Sequence, residues 1–137
     1  GMSVEEVDAL ADKGFDDGAL FASISSGSYR YDCMFVAPCS ESSVAKFASG
    51  IADTLISRAV SVCIKEGRKV ILVVRETPKS AIMLENELKL ARCGVVIMDA
   101  NPGFYSEPSS VEDMVNFVIG KCLDRAGIDH RLYKKWE

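Results

Sequence analysis

The fold of this chain is indicated most clearly by the segment Val70-Ile71-Leu72-Val73-Val74-Arg75-Glu76-Thr77-Pro78, where an apolar run meets two opposite charges and a proline. Five consecutive β-favouring apolar residues are typical of a strand buried on both faces, as in a parallel sheet. In open α/β sheets, ligands bind beyond the carboxyl ends of the strands, which is where Arg75 and Glu76 would lie. These two side chains either bind an anionic ligand and take part in its reaction, or they form a structural ion pair at the end of the strand.

Strand-like and helix-like segments alternate on both sides of this run. Cys33-Met34-Phe35-Val36-Ala37 predicts a strand that ends at Pro38, and Val95-Val96-Ile97-Met98 predicts another. One long helix is predicted from Ser40 to Gly67, because apolar residues recur at three- and four-residue steps up to that glycine. The alternation predicts an α/β fold with a three-layer arrangement around a parallel sheet. Three strands are few for such a sheet, so we expect its first strand–helix unit to be missing.

Two further helices are predicted to pack on the sheet by one apolar face each, and a capping box at Ser3 and Glu6 predicts a short helix before the sheet. The first of the two ends at Gly94, and its apolar face is Ala81, Leu84, Leu88 and Ala91. The second is capped by Ser109 and Glu112, ends at Gly127, and has the apolar face Val111, Met114, Val115, Val118 and Cys122.

Composition narrows the class of protein. The 137 residues suit one domain, expected over residues 2–137, with Gly1 as a remnant of tag removal. A net charge of −4 gives no electrostatic support to a nucleic-acid or membrane-surface role, and no apolar run reaches the ~20 residues that span a bilayer. The five cysteines contain no C-x-x-C pair, which favours a reducing cytoplasm over a zinc site or a disulfide framework. His130, the one histidine, is predicted to be a solvated side chain in a polar tail.

Cations interrupt the apolar faces of the predicted helices. Arg58 and Lys65 lie seven residues apart on the stripe of the long helix that includes Ile51, and Lys121 holds a similar place on the last helix. Together with Arg75 they could converge on the carboxyl ends of the strands, and such a cluster in an acidic protein suits a phosphate ester. Each could instead snorkel from an apolar face, and Lys65 would also favour the negative end of its helix.

Hydroxyl groups gather where the predicted long helix begins, in Pro38-Cys39-Ser40-Glu41-Ser42-Ser43. Backbone N–H groups at a helix N-terminus bind anions, so this segment predicts a cradle for a phosphate or a ribityl chain. The charge of Glu41 disfavours a phosphate close to the turn, and simple N-capping by Ser40 explains the segment equally well.

Short motifs from about Ser3 to Trp136 resemble those of the flavin prenyltransferases, the UbiX family, once labelled aromatic acid decarboxylases. The more specific ones are Arg75-Glu76-Thr77-Pro78 and Gly103-Phe104-Tyr105. The others are Ala37-Pro38-Cys39-Ser40, Gly50-Ile51-Ala52-Asp53, Arg58-Ala59 and Leu84-Glu85-Asn86. The resemblance implies a flavodoxin-like (Rossmann-like) flavoprotein that joins the dimethylallyl group of dimethylallyl phosphate to reduced FMN, without a metal. It also implies large homo-oligomers with flavin sites between subunits, and a separate decarboxylase that uses the prenylated flavin.

The same resemblance gives the candidate residues their roles. Ser40, Glu41, Ser42, Ser43 and Arg75 would contact FMN. Lys65, Tyr105 and Lys121 would hold the dimethylallyl phosphate, Arg58 would support the phosphate side, and Ser26-Gly27-Ser28 resembles a loop beside the prenyl group. Cationic and phenolic donors can stabilise the charge that grows on a leaving phosphate. Glu76 would move the proton, because we see no other carboxylate directly after a core strand.

The chain departs from the family pattern at its start and at two side chains. It contains neither the family's first strand, which runs into a Gly-Ala-Ser-Gly loop that cradles the FMN phosphate, nor the second strand with its further acidic residue. Lys121 stands where the family usually has Arg, and Met83 stands where His often precedes the Leu-Glu-Asn motif. Three interpretations follow: a prenyltransferase whose missing part comes from a companion chain or a longer enzyme, a degenerate non-catalytic oligomeric relative, or another FMN-binding flavoprotein such as a reductase.

Overall fold

The computed structural model describes residues 1–134 of the chain, and Trp136, where the resemblance ends, lies outside them. The described residues form the helices α1 (Val4–Asp8), α2 (Glu41–Ser49), α3 (Leu55–Lys65), α4 (Ala81–Arg92) and α5 (Val111–Ala126). Their strands are β1 (Cys33–Cys39), β2 (Lys69–Val74) and β3 (Val96–Asp99), with short 3₁₀ turns at Ser23–Ser25 and Phe104–Ser106. The predicted capping box of α1 is confirmed, since Glu6 N donates to Ser3 Oγ and Ser3 N donates to the Glu6 carboxylate.

The described strands form one parallel sheet in the order β1-β2-β3. The middle strand, β2, is buried along both faces. Val70, Leu72 and Val74 belong to the core on one face, and Ile71 and Val73 belong to the core on the other. The predicted two-sided burial of this run is therefore confirmed, and it follows from β-favouring side chains that alternate between two apolar layers.

Helices cover the sheet on both faces, which confirms the three-layer α/β prediction. Phe47 of α2, Cys63 of α3 and Met83 of α4 share a core with β1 and β2 on one face. Cys122 and Val118 of α5 pack on the opposite face. The carboxyl edge of the sheet is therefore reached by the loops that lead into α2, α4 and α5.

Strand β1 runs through Pro38 to Cys39, so the predicted end at that proline is wrong. The pairing with β2 shifts register between Val36 and Cys39, and this irregularity accommodates a residue that has no N–H to donate. The strand lies at an edge of the described sheet, and its Phe35 and Ala37 side chains are exposed.

The predicted long helix is two helices. Gly50, in the left-handed conformation at φ 72°, ends α2. Thr54 then starts α3 with its own capping box, in which Ser57 N donates to Thr54 Oγ1 at 3.3 Å. Ile51 falls in the loop between them with 47% of its surface exposed, so it does not share a helical stripe with Arg58 or Lys65 as predicted.

A loop from far upstream completes the start of α3. Leu55 N donates to the Asp17 carbonyl oxygen at 2.7 Å, and Ile56 N donates to Asp17 Oδ1 at 2.8 Å. These bonds satisfy N–H groups that have no partner within the helix, and they fix the 16–18 loop against it.

The buried face of α4 differs from the predicted one. Met83, Glu87 and Leu90 face the core, whereas Leu84 and Leu88 are each about half exposed. Ala81 and Ala91, the other members of the predicted face, are exposed as well. Helix α4 has apolar residues on more than one side. The buried side includes the charged Glu87, so the sequence pattern did not indicate it as the core-facing side.

Helix α5 starts one residue later than predicted. Ser110 is the N-cap and Asp113 completes the capping box, while Ser109 N and Oγ both donate to Asp113 Oδ2. These donors lower the pKa of Asp113 below its ordinary value. The predicted C-terminal stop at Gly127 is confirmed, with φ 78°.

Candidate functional site

Ser40 caps α2 at the carboxyl end of β1, so the capping interpretation of this segment is correct. Ser43 N donates to Ser40 Oγ at 3.2 Å, and the two hydroxyl oxygens lie 3.0 Å apart. Ser42 is exposed beside them. Capping leaves the first turn of α2 facing solvent with its positive dipole end and two further hydroxyls, so an anion cradle is compatible with the cap.

Arg75 and Glu76 follow β2 at the same edge. Val74 pairs with Cys39 and with Asp99, which places the residues after β2 between the ends of β1 and β3. Arg75 is exposed and Glu76 is half-buried. Thr77 N donates to Glu76 Oε1 at 3.2 Å. No ion pair joins Arg75 to Glu76 in residues 1–134, so the alternative of an Arg–Glu pair that closes the strand is wrong.

The cradle and the loop after β2 are connected through the starts of α2 and α4. Ser80, the N-cap of α4, donates its hydroxyl to Glu41 Oε1 at 3.2 Å. Glu41 is therefore oriented towards Ser80, which fixes the two helix starts relative to each other. The segment 40–43 and the segment 75–80 form one continuous surface along the carboxyl edge.

Arg58 and Lys65 line a second concavity, of about 620 Å³, together with Phe21, Ser26 and Gly27. Lys65 forms an ion pair with Glu66, and this contact lowers the pKa of the Glu66 carboxyl. A Cβ atom at Gly27 would lie 3.1 Å from Lys65 Nζ and 2.6 Å from Glu66 Oε1, so only glycine fits without displacing that pair.

The Ser26-Gly27-Ser28 segment is fixed in place by Arg68. Its guanidinium donates to the Gly27 carbonyl oxygen and, at 2.8 Å, to the Tyr29 carbonyl oxygen. The Ser26 and Ser28 hydroxyls lie 2.8 Å apart on the same turn. The structure thus brings together Arg58, Lys65 and the serine–glycine loop, as the family resemblance implies.

Tyr105 and Lys121 meet around the ring of Phe117. Tyr105 packs edge-on against Phe117 with ring centroids 5.8 Å apart, and Lys121 Nζ lies 5.5 Å from the same centroid. Lys121 Nζ also lies 4.9 Å from the Tyr133 ring, and a hydrogen bond to Tyr133 is the main cause that raises the pKa of Lys121. A protonated ammonium beside a phenol is suited to bind an anion.

The predicted convergence of four cations at the carboxyl edge does not occur within one chain. Lys65 ends α3 just before the first residue of β2, whereas Arg75 follows the last residue of that strand. A six-residue strand separates them, which amounts to about 20 Å at 3.3 Å per residue. The cause is that α3 runs antiparallel to β2 and carries Lys65 to the amino end of the sheet.

Sequence reasoning missed an ionic cluster at the carboxyl edge and misjudged the histidine. Lys79 lies 2.9 Å from Glu87 Oε1 and also donates to Asp99 Oδ1. Asp99 ends β3, so Glu76 is not the only carboxylate at that edge. His130 is 4% exposed and bonds Asp124 at 3.1 Å, so it is not solvated. The signal for Glu87 was its spacing, four residues after Met83 and three before Leu90.

Within residues 1–134, no group of three His, Cys, Asp or Glu side chains is arranged to hold a metal ion. Among the same residues, no helix has the length and apolar content needed to cross a membrane. All five cysteines fall in this part of the chain and are free thiols.

Comparison with known proteins places the chain in a family. Residues 2–123 match the sequence model of the Flavoprotein family. The chain is 45% identical to the flavin prenyltransferase UbiX of Thermoplasma acidophilum over 134 residues, 98% of this chain and 74% of that protein. It is 44% identical to a probable UbiX-like flavin prenyltransferase of Escherichia coli O157:H7 over 98% of this chain and 68% of that protein.

Solved structures agree. The crystal structure of AnUbiX (PadA1) in complex with FMN and dimethylallyl pyrophosphate superposes with a TM-score of 0.97 at 40% identity, over 99% of this chain and 72% of that one. A dodecameric FMN-dependent UbiX-like decarboxylase from E. coli O157:H7 superposes with a TM-score of 0.96 at 44% identity, over 99% of this chain and 74% of that one. This chain therefore belongs to the Flavoprotein family and, within it, to the UbiX-type flavin prenyltransferases.

Proposed function

We propose that this chain acts as a UbiX-type flavin prenyltransferase, which transfers the dimethylallyl group of dimethylallyl phosphate to reduced FMN. One observation carries the proposal: 99% of the chain superposes, at 40% identity, on a relative crystallised with FMN and dimethylallyl pyrophosphate. The side chains that such a reaction needs are present in this chain at the carboxyl edge, around Gly27 and around Phe117.

The carboxyl edge fits a flavin mononucleotide. The start of α2 offers N–H groups, a positive dipole end and the Ser40, Ser42 and Ser43 hydroxyls, which match phosphate and ribityl oxygens. Arg75 adds an exposed guanidinium beside them. Glu41 belongs to this cofactor-binding segment, and we propose that it orients the start of α4 through Ser80. Reduced FMN would supply the nucleophilic ring atom that receives the prenyl group.

Other side chains would act on the phosphate ester. Breaking an allylic C–O bond leaves negative charge on the phosphate, and preorganised donors stabilise that charge. We propose that Lys65, Tyr105 and Lys121 bind the phosphate and that Arg58 supports Lys65. Glu76, half-buried at the carboxyl edge, would hold or move the proton during the transfer.

The complete site would form between subunits of a homo-oligomer. Lys65 lies at the amino end of the sheet and Arg75 at the carboxyl end, so we propose that two copies contribute these residues to one site. Leu84 and Leu88 give α4 an exposed apolar stripe suited to such contacts, and one relative of this chain is dodecameric.

The exposed edge at β1 would also be covered. Its unpaired backbone groups, together with the Phe35 face, are suited to an added strand, which we propose comes from a second copy or from a companion chain. Five free thiols suit a reducing cytoplasm. In that compartment the prenylated flavin would pass to a separate decarboxylase.

The test is a titration of the purified chain with FMN, followed by an anaerobic assay. Saturable micromolar binding is expected, and reduced FMN with dimethylallyl phosphate should then give prenylated flavin. Dimethylallyl pyrophosphate, assayed in parallel, identifies the preferred donor. Arg75→Met should weaken FMN binding and Arg92→Met, at an exposed position late in α4, should not. Binding without prenyl transfer would favour another flavoprotein activity, and no binding at high micromolar FMN would favour a degenerate relative.

A further inference from the structure

Lys79 is a cation with little exposure in the loop that carries Arg75 and Glu76. Its side chain is 17% exposed, and Glu87 is 10% exposed beside it. The ammonium bridges two elements, because it lies 2.9 Å from Glu87 Oε1 on α4 and donates to Asp99 Oδ1 at the end of β3. Lys79, Glu87 and Asp99 are called the edge triad below.

The edge triad links the loop after β2 to α4 and to the carboxyl end of β3. Lys79 belongs to the loop after β2, and Asp99 is the last residue of β3. Glu87 lies on the buried face of α4 between Met83 and Leu90, which share a core with Cys39 of β1. Burial is the main cause that raises the pKa of Cys39 to about 11, and the Glu87 charge adds to it. The triad therefore lies next to Ser80, which bonds Glu41 of the proposed flavin cradle.

Apart from the ion pairs of Lys79, the bonds that hold the 75–80 loop against neighbouring elements in residues 1–134 lie at its two ends. At its start, Ala100 N donates to the Val74 carbonyl oxygen at 2.7 Å. At its end, Ser80 caps α4 and donates to Glu41. Lys79 adds the side-chain link from this loop to both α4 and β3, and it lies three residues from Glu76.

Ion pairs of this kind are costly to bury. An ammonium that loses most of its water is destabilised unless carboxylates and good geometry compensate, and an apolar residue of similar size would often pack at lower cost. Here burial acts to lower the pKa of Lys79, and the two carboxylates outweigh it and raise that pKa. A cluster that adds little stability can still define one geometry.

We infer that Lys79 is a positioning residue: through its ion pairs with Glu87 and Asp99 it holds the Arg75–Glu76 segment in place at the carboxyl edge. For catalysis this inference rests on the proposed function, because Arg75 and Glu76 matter there only if flavin and substrate bind beside them. The conformational part of the inference concerns the loop itself and can be tested without any ligand.

The first test is native-state proteolysis of the ligand-free protein. Lys79→Met is compared with Lys89→Met, a matched control on the exposed side of α4 that also removes one trypsin site. Fragment masses report the rate of cleavage after Arg75. Loss of about 1.4 kcal/mol of local restraint corresponds to cleavage about tenfold faster in Lys79→Met, with no change in Lys89→Met. Equal rates in the two variants would overturn the inference.

The second test is functional and separates positioning from simple stability. At a temperature where circular dichroism shows every variant folded, Lys79→Met should raise the Kd for FMN about tenfold. Lys79→Arg, which keeps the charge, should restore it to within about threefold. A lower melting temperature with unchanged Kd would mean that the triad is only structural, which contradicts the inference.

Two further outcomes are distinguishable. If the wild-type protein binds no FMN, the proposed function fails while the cleavage rate after Arg75 still decides the positioning role. If Lys79→Met does not fold, Asp99→Asn replaces it, because Asp99 is 56% exposed and its loss leaves the Lys79–Glu87 pair intact. Asp99→Asn should then speed cleavage by a smaller factor, and an unchanged rate would overturn the inference.

Discussion

Replacing Gly120 by Ala should expel the 130–133 segment from α5. An added Cβ would lie 2.5 Å from Tyr133 Cδ1 and 2.7 Å from His130 Cε1, well inside ordinary carbon contact distances. Both obstructing atoms belong to rings, and those rings are held by hydrogen bonds to Asp124 at 2.5 Å and 3.1 Å. The segment therefore has to move by roughly an ångström or leave its site.

The magnitude follows from what that displacement breaks. Hydrogen bonds to a charged group contribute about 1.5–3 kcal/mol each, and the partial exposure of Asp124 favours the lower end. Losing both costs about 3 kcal/mol, while alanine in place of glycine within a helix returns about 1 kcal/mol. Gly120→Ala should therefore lower the free energy of unfolding by about 2 kcal/mol.

A double-mutant cycle measured by urea denaturation provides the assay. In a background with His130→Ala and Tyr133→Ala the obstruction is absent, so Gly120→Ala should become stabilising by about 0.5–1 kcal/mol through helix propensity alone. The change of sign is the diagnostic result. If Gly120→Ala has the same effect in both backgrounds, the packing of these rings on α5 is not what requires glycine.

Three further results are expected. Glu76→Gln should lower kcat for prenyl transfer by about 10²–10⁴-fold while the Kd for FMN stays within threefold, and an unchanged kcat would rule out proton transfer by this side chain. The pKa of Asp113 is lowered from 3.8 by bonds from the two serines before α5, so its contribution to stability is present above about pH 5 and is lost as pH falls below 4 through the folded-state pKa. Urea midpoints of wild type and Asp113→Asn should therefore converge towards pH 3, and a constant difference would contradict the assignment. Leu84→Glu with Leu88→Glu should reduce the particle mass seen by light scattering while circular dichroism stays unchanged; an unaltered mass would show that this stripe is not a subunit contact.

The sequence predicted the sheet better than the helices around it. A run such as Val70–Val74 contains enough information by itself, because an uninterrupted apolar strand has to be covered on both faces. The break at Gly50 was harder to see, since apolar steps continue through Ile51. Glycine in a left-handed conformation followed by a threonine cap ends one helix and begins another, and that pattern outweighs periodicity.

For the candidate site, the sequence suggested residues of suitable chemistry but did not indicate how they are arranged in space. Periodicity favoured the Leu84 and Leu88 stripe as core, because an exposed apolar stripe on a helix has the same spacing as a buried one. Lys65 and Arg75 have suitable chemistry for one site, yet a helix antiparallel to its strand places them at opposite ends of the sheet. Lys79 and Glu87 were missed because their pairing depends on how α4 packs, which a single sequence does not specify.

Because the strands pair in the order in which they are synthesised, the sheet can assemble one unit at a time as the chain leaves the ribosome. Strand β2 is complete at Val74, but the helix that covers Ile71 and Val73 ends only at Ala126, 52 residues later. At 5–20 residues per second, those side chains stay uncovered on the nascent chain for roughly 3–10 s. One face of β2, formed by Ile71 and Val73, is thus covered by a helix only near the end of the described chain, long after the strand itself is complete.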